Sequence, residues 1–304
     1  PNNEGRLGIF KKLVETFPDE PHFWGHLGRF CAIELHRNED ALAAIDKAIE
    51  LDSKNNVFYH MKGMVLRQQI YDFLETLKQR GHFSPNDFDT IKRKIEEASE
   101  QFEKSRSFAA PQEEHAYVSH IQLLIRVVDF GFAISKQPSR EEFLVSKDAT
   151  WYRDLIDKAE HLLDELKRKQ EGELPSLYTT RCQSGLDELY GDYSRVLEGW
   201  NSLLDRRDIY LPSVRRQIAR VYLVRKKRLW DELDQRELRR VAQLMQENIE
   251  TDPVDYGSMR YWFQAVRRID GESIEAVIER LSYWKATTES IEATFYLYIL
   301  YTLQ

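Results

Sequence analysis

Glycine and proline are both scarce in this chain, at 13 and 9 of 304 residues. A β-sandwich or an α/β enzyme of this length needs more turns than that, so the shortage points to long helices with few breaks. Cysteine is scarcer still. Cys31 and Cys182 lie far apart with no CxxC partner; they read as buried free thiols and point to a reducing, cytoplasmic setting. No apolar run reaches 18 residues, so no membrane span is expected. No GxxxxGK[ST] loop, GxGxxG turn, GxSxG elbow or HExxH pair occurs. Without them no cofactor, metal or small-molecule substrate is expected, and catalysis by this chain is not expected either. The chain opens on Pro1 without a methionine or a signal-like segment, as a piece of a longer protein would.

Hydrophobic residues make up 42% of the chain and charged residues 31%, enough to build a core under a well-solvated surface. Leu, Glu, Arg, Lys, Gln and Ala dominate, and all are strong helix formers. The net charge of −7 keeps the chain soluble and argues against a protein built wholly for nucleic acid.

Periodicity organises the rest. Pro18–Asp–Glu–Pro21–His–Phe–Trp24–Gly–His–Leu27–Gly28 is followed by Ala41, Ile45 and Ala48, and the pattern restarts at Tyr59–His–Met–Lys–Gly63, 35 residues after Trp24. An aromatic, a Leu-Gly pair, then Ala, a large apolar residue and Ala resembles the tetratricopeptide repeat, whose nominal period is about 34. Small residues at Gly28, Ala41 and Ala48 let the two helices of a repeat, A and B, approach closely, while Trp24, Leu27 and Ile45 fill space between repeats. One extra residue in the His36–Asp40 turn accounts for the longer spacing. Phe10, Leu13 and Phe17 read as helix B of a preceding repeat.

Beyond residue 70 the pattern decays. Helix A of the next unit runs to about Gln79, where Gly81–Asp87 breaks it, and Ala98, Phe102 and Ser105 resume helix-B spacing late. An insertion near 70–95, projecting from the array, is expected. Tyr117–Ile134 reads as an apolar helix, Pro138–Lys147 as a connection, and Trp151–Lys169 as an amphipathic helix with Leu155, Ala159, Leu162, Leu163 and Leu166 on one face. Gln170–Pro175 is the best boundary, separating tetratricopeptide-like repeats over 1–170 from divergent helical repeats over 171–304. In the second half Val196, Trp200 and Leu203, then Val241, Met245 and a Thr251–Pro253 stop, match helix B, as does Ser273–Trp284. Ile291–Leu303 is apolar nearly all round, as a helix packed against a further partner would be. The predicted fold is all-α, a right-handed superhelix of helical hairpins.

His22 and His26 share a helical face, but repeat packing explains their turn and no third ligand is near. His115 and His120 do not share a face. Paired carboxylates such as Glu96–Glu97 and Glu141–Glu142 suit solvated faces and helix starts. Charge asymmetry is more informative. Between Arg206 and Arg240 twelve basic residues meet five acids. Arg215, Arg216, Arg220, Lys226, Lys227, Arg239 and Arg240 form a candidate surface for nucleic acid or an acidic partner, with Arg216, Arg220 and Lys227 along one stripe. The competing reading is a solvated face, or pairing with acids of the first half. Tyr222 and Trp230 suit core packing.

The concave, helix-A surface is where such arrays bind protein. Here it would comprise His22, Gly25, Arg29, Ile33, Val57, His60, Met64, Arg67 and Gln68, with Arg29, His60, Met64 and Arg67 at its centre. Adaptors that grip a chaperone's terminal carboxylate use Lys and Asn at positions occupied here by Gly25, Arg29, His60 and Met64, so that clamp is absent.

Three stretches carry a narrower resemblance: Tyr117–Val128, Arg260–Arg268 and Ile278–Leu300. In this order after a tetratricopeptide start, they resemble the helical region behind the NTPase of SAM-domain antiviral factors and their bacterial relatives, which are STAND-type immune signalling NTPases. The resemblance implies a role as the helical arm that senses a trigger or holds the switch closed, binding a protein partner or other domains of its own parent chain. A nucleic-acid-binding array and an oligomerisation spacer are the alternatives.

Overall fold

The computed structural model describes residues 2–110, 113–172, 174–252, 254–288 and 290–303. Pro1, Glu173 and Pro253, which the sequence reading used, lie outside them. All regular structure among the described residues is helical. The chain forms two compact units, Pro1–Tyr190 and Gly191–Gln304.

The first unit holds α1 (Asn3–Thr16), α2 (Pro21–Ile33), α3 (Asn38–Leu51), α4 (Asn56–Arg80), α5 (Pro85–Phe108), α6 (His115–Ser135), α7 (Arg140–Val145), α8 (Thr150–Lys169) and α9 (Leu177–Leu189). Local chemistry sets the ends. Pro21 opens α2, with the Glu20 carboxylate accepting from His22 N. Gly81 closes α4 at φ 72°, a left-handed conformation that costs glycine little. Ser84 and Asp87 then cap α5 reciprocally around Pro85. The hydrogen bonds from Ser84, and after them the pairing with Arg80, hold the Asp87 carboxyl down to about 2.

Three helix pairs, α2 with α3, α4 with α5 and α6 with α8, are the successive hairpins, and the first helices of neighbouring hairpins also touch. At each pair a glycine of the first helix receives a large side chain of the second. A Cβ on Gly28 would stand 2.5 Å from Ile45 Cγ1, one on Gly63 would stand 2.6 Å from the Phe102 ring, and one on Gly131 would collide with Tyr152. Ala41, Ile45 and Ala48 are wholly buried at the first of these approaches. Ile45 thus packs against Gly28 within its own hairpin, in a cluster that also holds Phe58 and Val65 of α4.

The expected insertion is not a projection. It lengthens α4 and α5 together, and Ile70, Leu74, Leu77, Ile91 and Ile95 of the added turns are buried in the same core as α6. The expected connection at 138–147 contains α7, whose Phe143 enters that core. A helix also follows Gln170–Pro175 within the first unit, because α9 buries Cys182, Leu186 and Leu189 there. The unit break falls at Tyr190–Gly191.

α6 is 21 residues long and apolar enough, by length and composition, to cross a membrane. Its interior charges are only Arg126 and Asp129. Here α6 is the central helix of the first unit, packed by α4, α5, α8 and α9.

The second unit holds α10 (Tyr193–Asn201), α11 (Leu211–Arg225), α12 (Gln235–Thr251), α13 (Tyr256–Val266), α14 (Ile274–Thr288) and α15 (Ile291–Leu303). Val196, Trp200, Val241, Met245 and Trp284, the anchors read from the sequence, are all buried. On α15 the two sides differ: Ala293, Tyr296, Leu297 and Leu300 are buried, while Ile291, Phe295, Tyr298 and Tyr301 are exposed.

Candidate functional site

On α2 the residues His22, His26, Arg29 and Ile33 recur at helical spacing and all are exposed, while Leu27, Phe30 and Cys31 behind them are buried. Gly25 lies within this face but is buried, closed over by the Phe58 ring. Alongside, α4 presents exposed Val57 and Gln68, with His60, Met64 and Arg67 half-buried between them. The first-helix surface therefore exists, but its four central residues have different roles. Arg29 is open to solvent. Met64 packs onto the core. The His60 ring lies edge-on to Phe102 and His115, at 6.0 and 6.2 Å between centroids. Burial, and then the His115 charge, push the His60 pKa down to about 4, so its ring is neutral at pH 7.

Arg67 is a brace. Its Nη1 donates to the Ser119 carbonyl and to Gln122 Oε1 at 3.5 and 3.4 Å, and its guanidinium lies 5.6 Å from the Tyr71 ring centroid. The Tyr71 hydroxyl donates to the Gln122 carbonyl, and Arg126 of α6 pairs with Glu75 of α4 at 2.6 Å. Tyr71, Gln122 and Arg126 were missed from sequence. Arg67 and Tyr71 are one turn apart, but their partners lie more than fifty residues away on a helix that reads as purely apolar. These ties fix α4 against α6, so the face they share is held in place before any partner arrives.

Deeper in the first unit, His120 is wholly buried. Its Nε2 lies 2.8 Å from Ser99 Oγ and its Nδ1 lies 3.2 Å from Arg106 Nη1. The guanidinium can only donate, so Nδ1 accepts and the ring is neutral. Burial and the Arg106 charge hold its pKa well below the usual value. Cys31 and Cys182 are buried free thiols. Among the described residues no three His, Cys, Asp or Glu side chains gather into a cluster able to hold a metal.

The basic stretch does not form the expected stripe. α11 ends at Arg225, and Lys227 lies in the following turn at φ 51°, so it shares no helix with Arg216 and Arg220. Several arginines are already partnered, by acids of the second half rather than the first. Arg215 Nε stands 2.9 Å from Glu247, Arg216 pairs with Asp255, and Arg225 pairs with Glu237. Arg220 Nε donates to Gln217. Arg215 also donates to Asn248, which is wholly buried and donates in turn to the Pro212 carbonyl and to Ser258 Oγ; Ser258 donates to Asp255. This network ties α11, α12 and α13 together. Lys226 sits beside Lys227 in the turn, and Arg239 and Arg240 lie on α12. Tyr222 and Trp230 are half-buried, Tyr222 beneath Arg225 and Trp230 beneath Arg268.

Among solved structures, the chain is similar to a thermophilic TPR protein of Thermus thermophilus, with a TM-score of 0.51 at 12% identity over 82% of this chain and 100% of that one. The fold is tetratricopeptide-like. Yeast Tom70 (TM-score 0.43, 13% identity, 99% of this chain and 59% of that one) and Acl4, an assembly chaperone of RpL4 (TM-score 0.43, 12% identity, 91% and 94%), are more distant and add nothing to that assignment. No family model matches the chain, and a search of curated proteins finds no relative.

Proposed function

We propose that this chain is a recognition arm that binds a protein segment along the first-helix surface of its first unit. The observation that carries the reading is the α2–α4 face. On α2 Ile33 is 55% exposed one turn from exposed Arg29, on α4 Val57 is 52% exposed near the His22–Phe58 contact, and Arg67 and Tyr71 tie α4 to α6. Exposed aliphatic side chains next to an open guanidinium on an ordered surface suit a mixed apolar and acidic segment, with little ordering cost on this side. The finer reading rests on the sequence resemblance of Tyr117–Val128, Arg260–Arg268 and Ile278–Leu300. On that basis the chain is the sensing or autoinhibitory arm of a larger, cytoplasmic STAND-type immune signalling NTPase, and its partner is a trigger protein or another domain of its own parent.

The test is to pan a random peptide library against the chain and map the selected peptides by hydrogen exchange. Protection over α2 and α4 that weakens in Arg29→Glu supports the reading. Peptides that protect neither helix, or whose affinity Arg29→Glu leaves unchanged, contradict it.

A further inference from the structure

Sorting the basic stretch by partner leaves one group standing apart. Arg236, Arg239 and Arg240 fall at i, i+3 and i+4 on α12, so their side chains rise from one face with Cβ atoms about 5–6 Å apart. None has a carboxylate partner among the described residues, and Arg240 donates only to Gln243. They line a cleft of about 530 Å³ together with Leu197 of α10 and with Tyr222 and Arg225 of α11. Their position is unfavourable for the helix itself. Arg236 lies in the first turn of α12 and Arg239 and Arg240 in the second, near the end where the macrodipole disfavours cations. The acids that could offset them are engaged: Asp234 and Glu237 cap each other's backbone N–H, and Glu237 also holds Arg225.

We propose that this cleft docks a short carboxylate-rich protein segment, separately from the α2–α4 face. Three forked guanidiniums on one helical face match Asp and Glu carboxylates bidentately, and Leu197 offers apolar contact beside them. A polynucleotide fits less well. Arg215, Arg216 and Arg225, which would extend the charge along α11, are held by Glu247, Asp255 and Glu237, so the charge does not run along that helix. The Asp234 and Glu237 carboxylates also line the cleft and repel a continuous polyanion, whereas a peptide can turn backbone N–H groups toward them.

The experiment titrates the whole chain into a fluorescein-labelled peptide of alternating Glu and Leu, and into a labelled oligothymidylate. The variants are Arg236→Gln/Arg239→Gln/Arg240→Gln and, with an equal change of charge, Lys226→Gln/Lys227→Gln/Arg228→Gln. Peptide affinity should fall about tenfold or more in the first and about twofold or less in the second. Thermal melting of the first variant should not fall, because it relieves the helix terminus of cations, and that separates lost docking from lost folding. Equal losses in the two variants would show that charge alone is being read, and would overturn the proposal. So would tighter binding of the oligothymidylate, with affinity falling steeply with salt.

Discussion

In the α4–α5 hairpin Gly63 lies directly against the Phe102 ring, whereas α11, α12 and α13 meet at the side-chain amide of Asn248. The first solution needs an absent side chain on one helix and a large one on the other. The second needs a polar side chain whose donors and acceptor are all satisfied, since an unpaired amide in that position would be costly. The first unit therefore rests on shape and the α11–α13 region on hydrogen-bond completeness, and the two should fail differently.

Asn248→Leu is the severest break. It leaves the Pro212 carbonyl without its donor and takes one partner each from Arg215 and Ser258, which keep Glu247 and Asp255, and should cost about 2–3 kcal/mol in urea unfolding, with coupling to Arg215→Leu in a double-mutant cycle. A cost below about 1 kcal/mol would mean that shape holds this region too. Acid sharpens the contrast next. All eight histidines lie in the first unit. His60 and His120 are held neutral there, with folded pKa values below the unfolded value near 6.5. The unfolded chain therefore takes up protons first. The stability they contribute is complete above pH 6.5 and is lost as the pH falls toward 4, by up to about 3 kcal/mol for His60 alone. Hydrogen exchange at pH 7 and pH 5 should show the loss in α4–α6 and little change in α11–α13; equal loss in both would contradict it.

Gly63→Ala should cost about 1–3 kcal/mol through overpacking against Phe102. Gly8→Ala, on an open face of α1 with nothing near its Cβ position, should instead stabilise by about 0.5–1 kcal/mol. If the two substitutions act alike, the close approach is not what holds the hairpin. Smallest of all is Arg29→Glu, which should change thermal stability by less than about 0.5 kcal/mol, because the residue is exposed. Arg67→Glu should be markedly worse, since it cuts the tie to α6.

The same contrast explains what could be read from the sequence. Close approach leaves a spaced mark: Gly28, Ala41, Ile45 and Ala48 can be seen in a row, and the helix ends at Gly81 and Pro85 announce themselves. A network such as Arg215–Asn248–Ser258 leaves none, because its members are up to 43 residues apart and each alone looks like surface. The expected arginine stripe failed for that reason, since its partners were out of sight and Lys227 lay past the end of the helix. The run of α4 to about Gln79 was legible, but the added turns of α5 were misread as a projecting insertion, because a spacing longer than one repeat does not distinguish added turns from a loop. Arg29 was legible as an exposed position. The bracing role of Arg67 was not, because Gln122 lies within a helix whose apolar residues dominate its pattern.

The decisive measurement is calorimetric titration of a library-selected peptide into the wild-type chain and into Arg29→Glu, with Gly8→Ala as the control. If the α2–α4 face is the recognition surface, Arg29→Glu loses about tenfold or more in affinity without a change in melting temperature, and Gly8→Ala binds as the wild type does. Equal affinity for all three proteins would place recognition elsewhere and contradict the proposed role of this face.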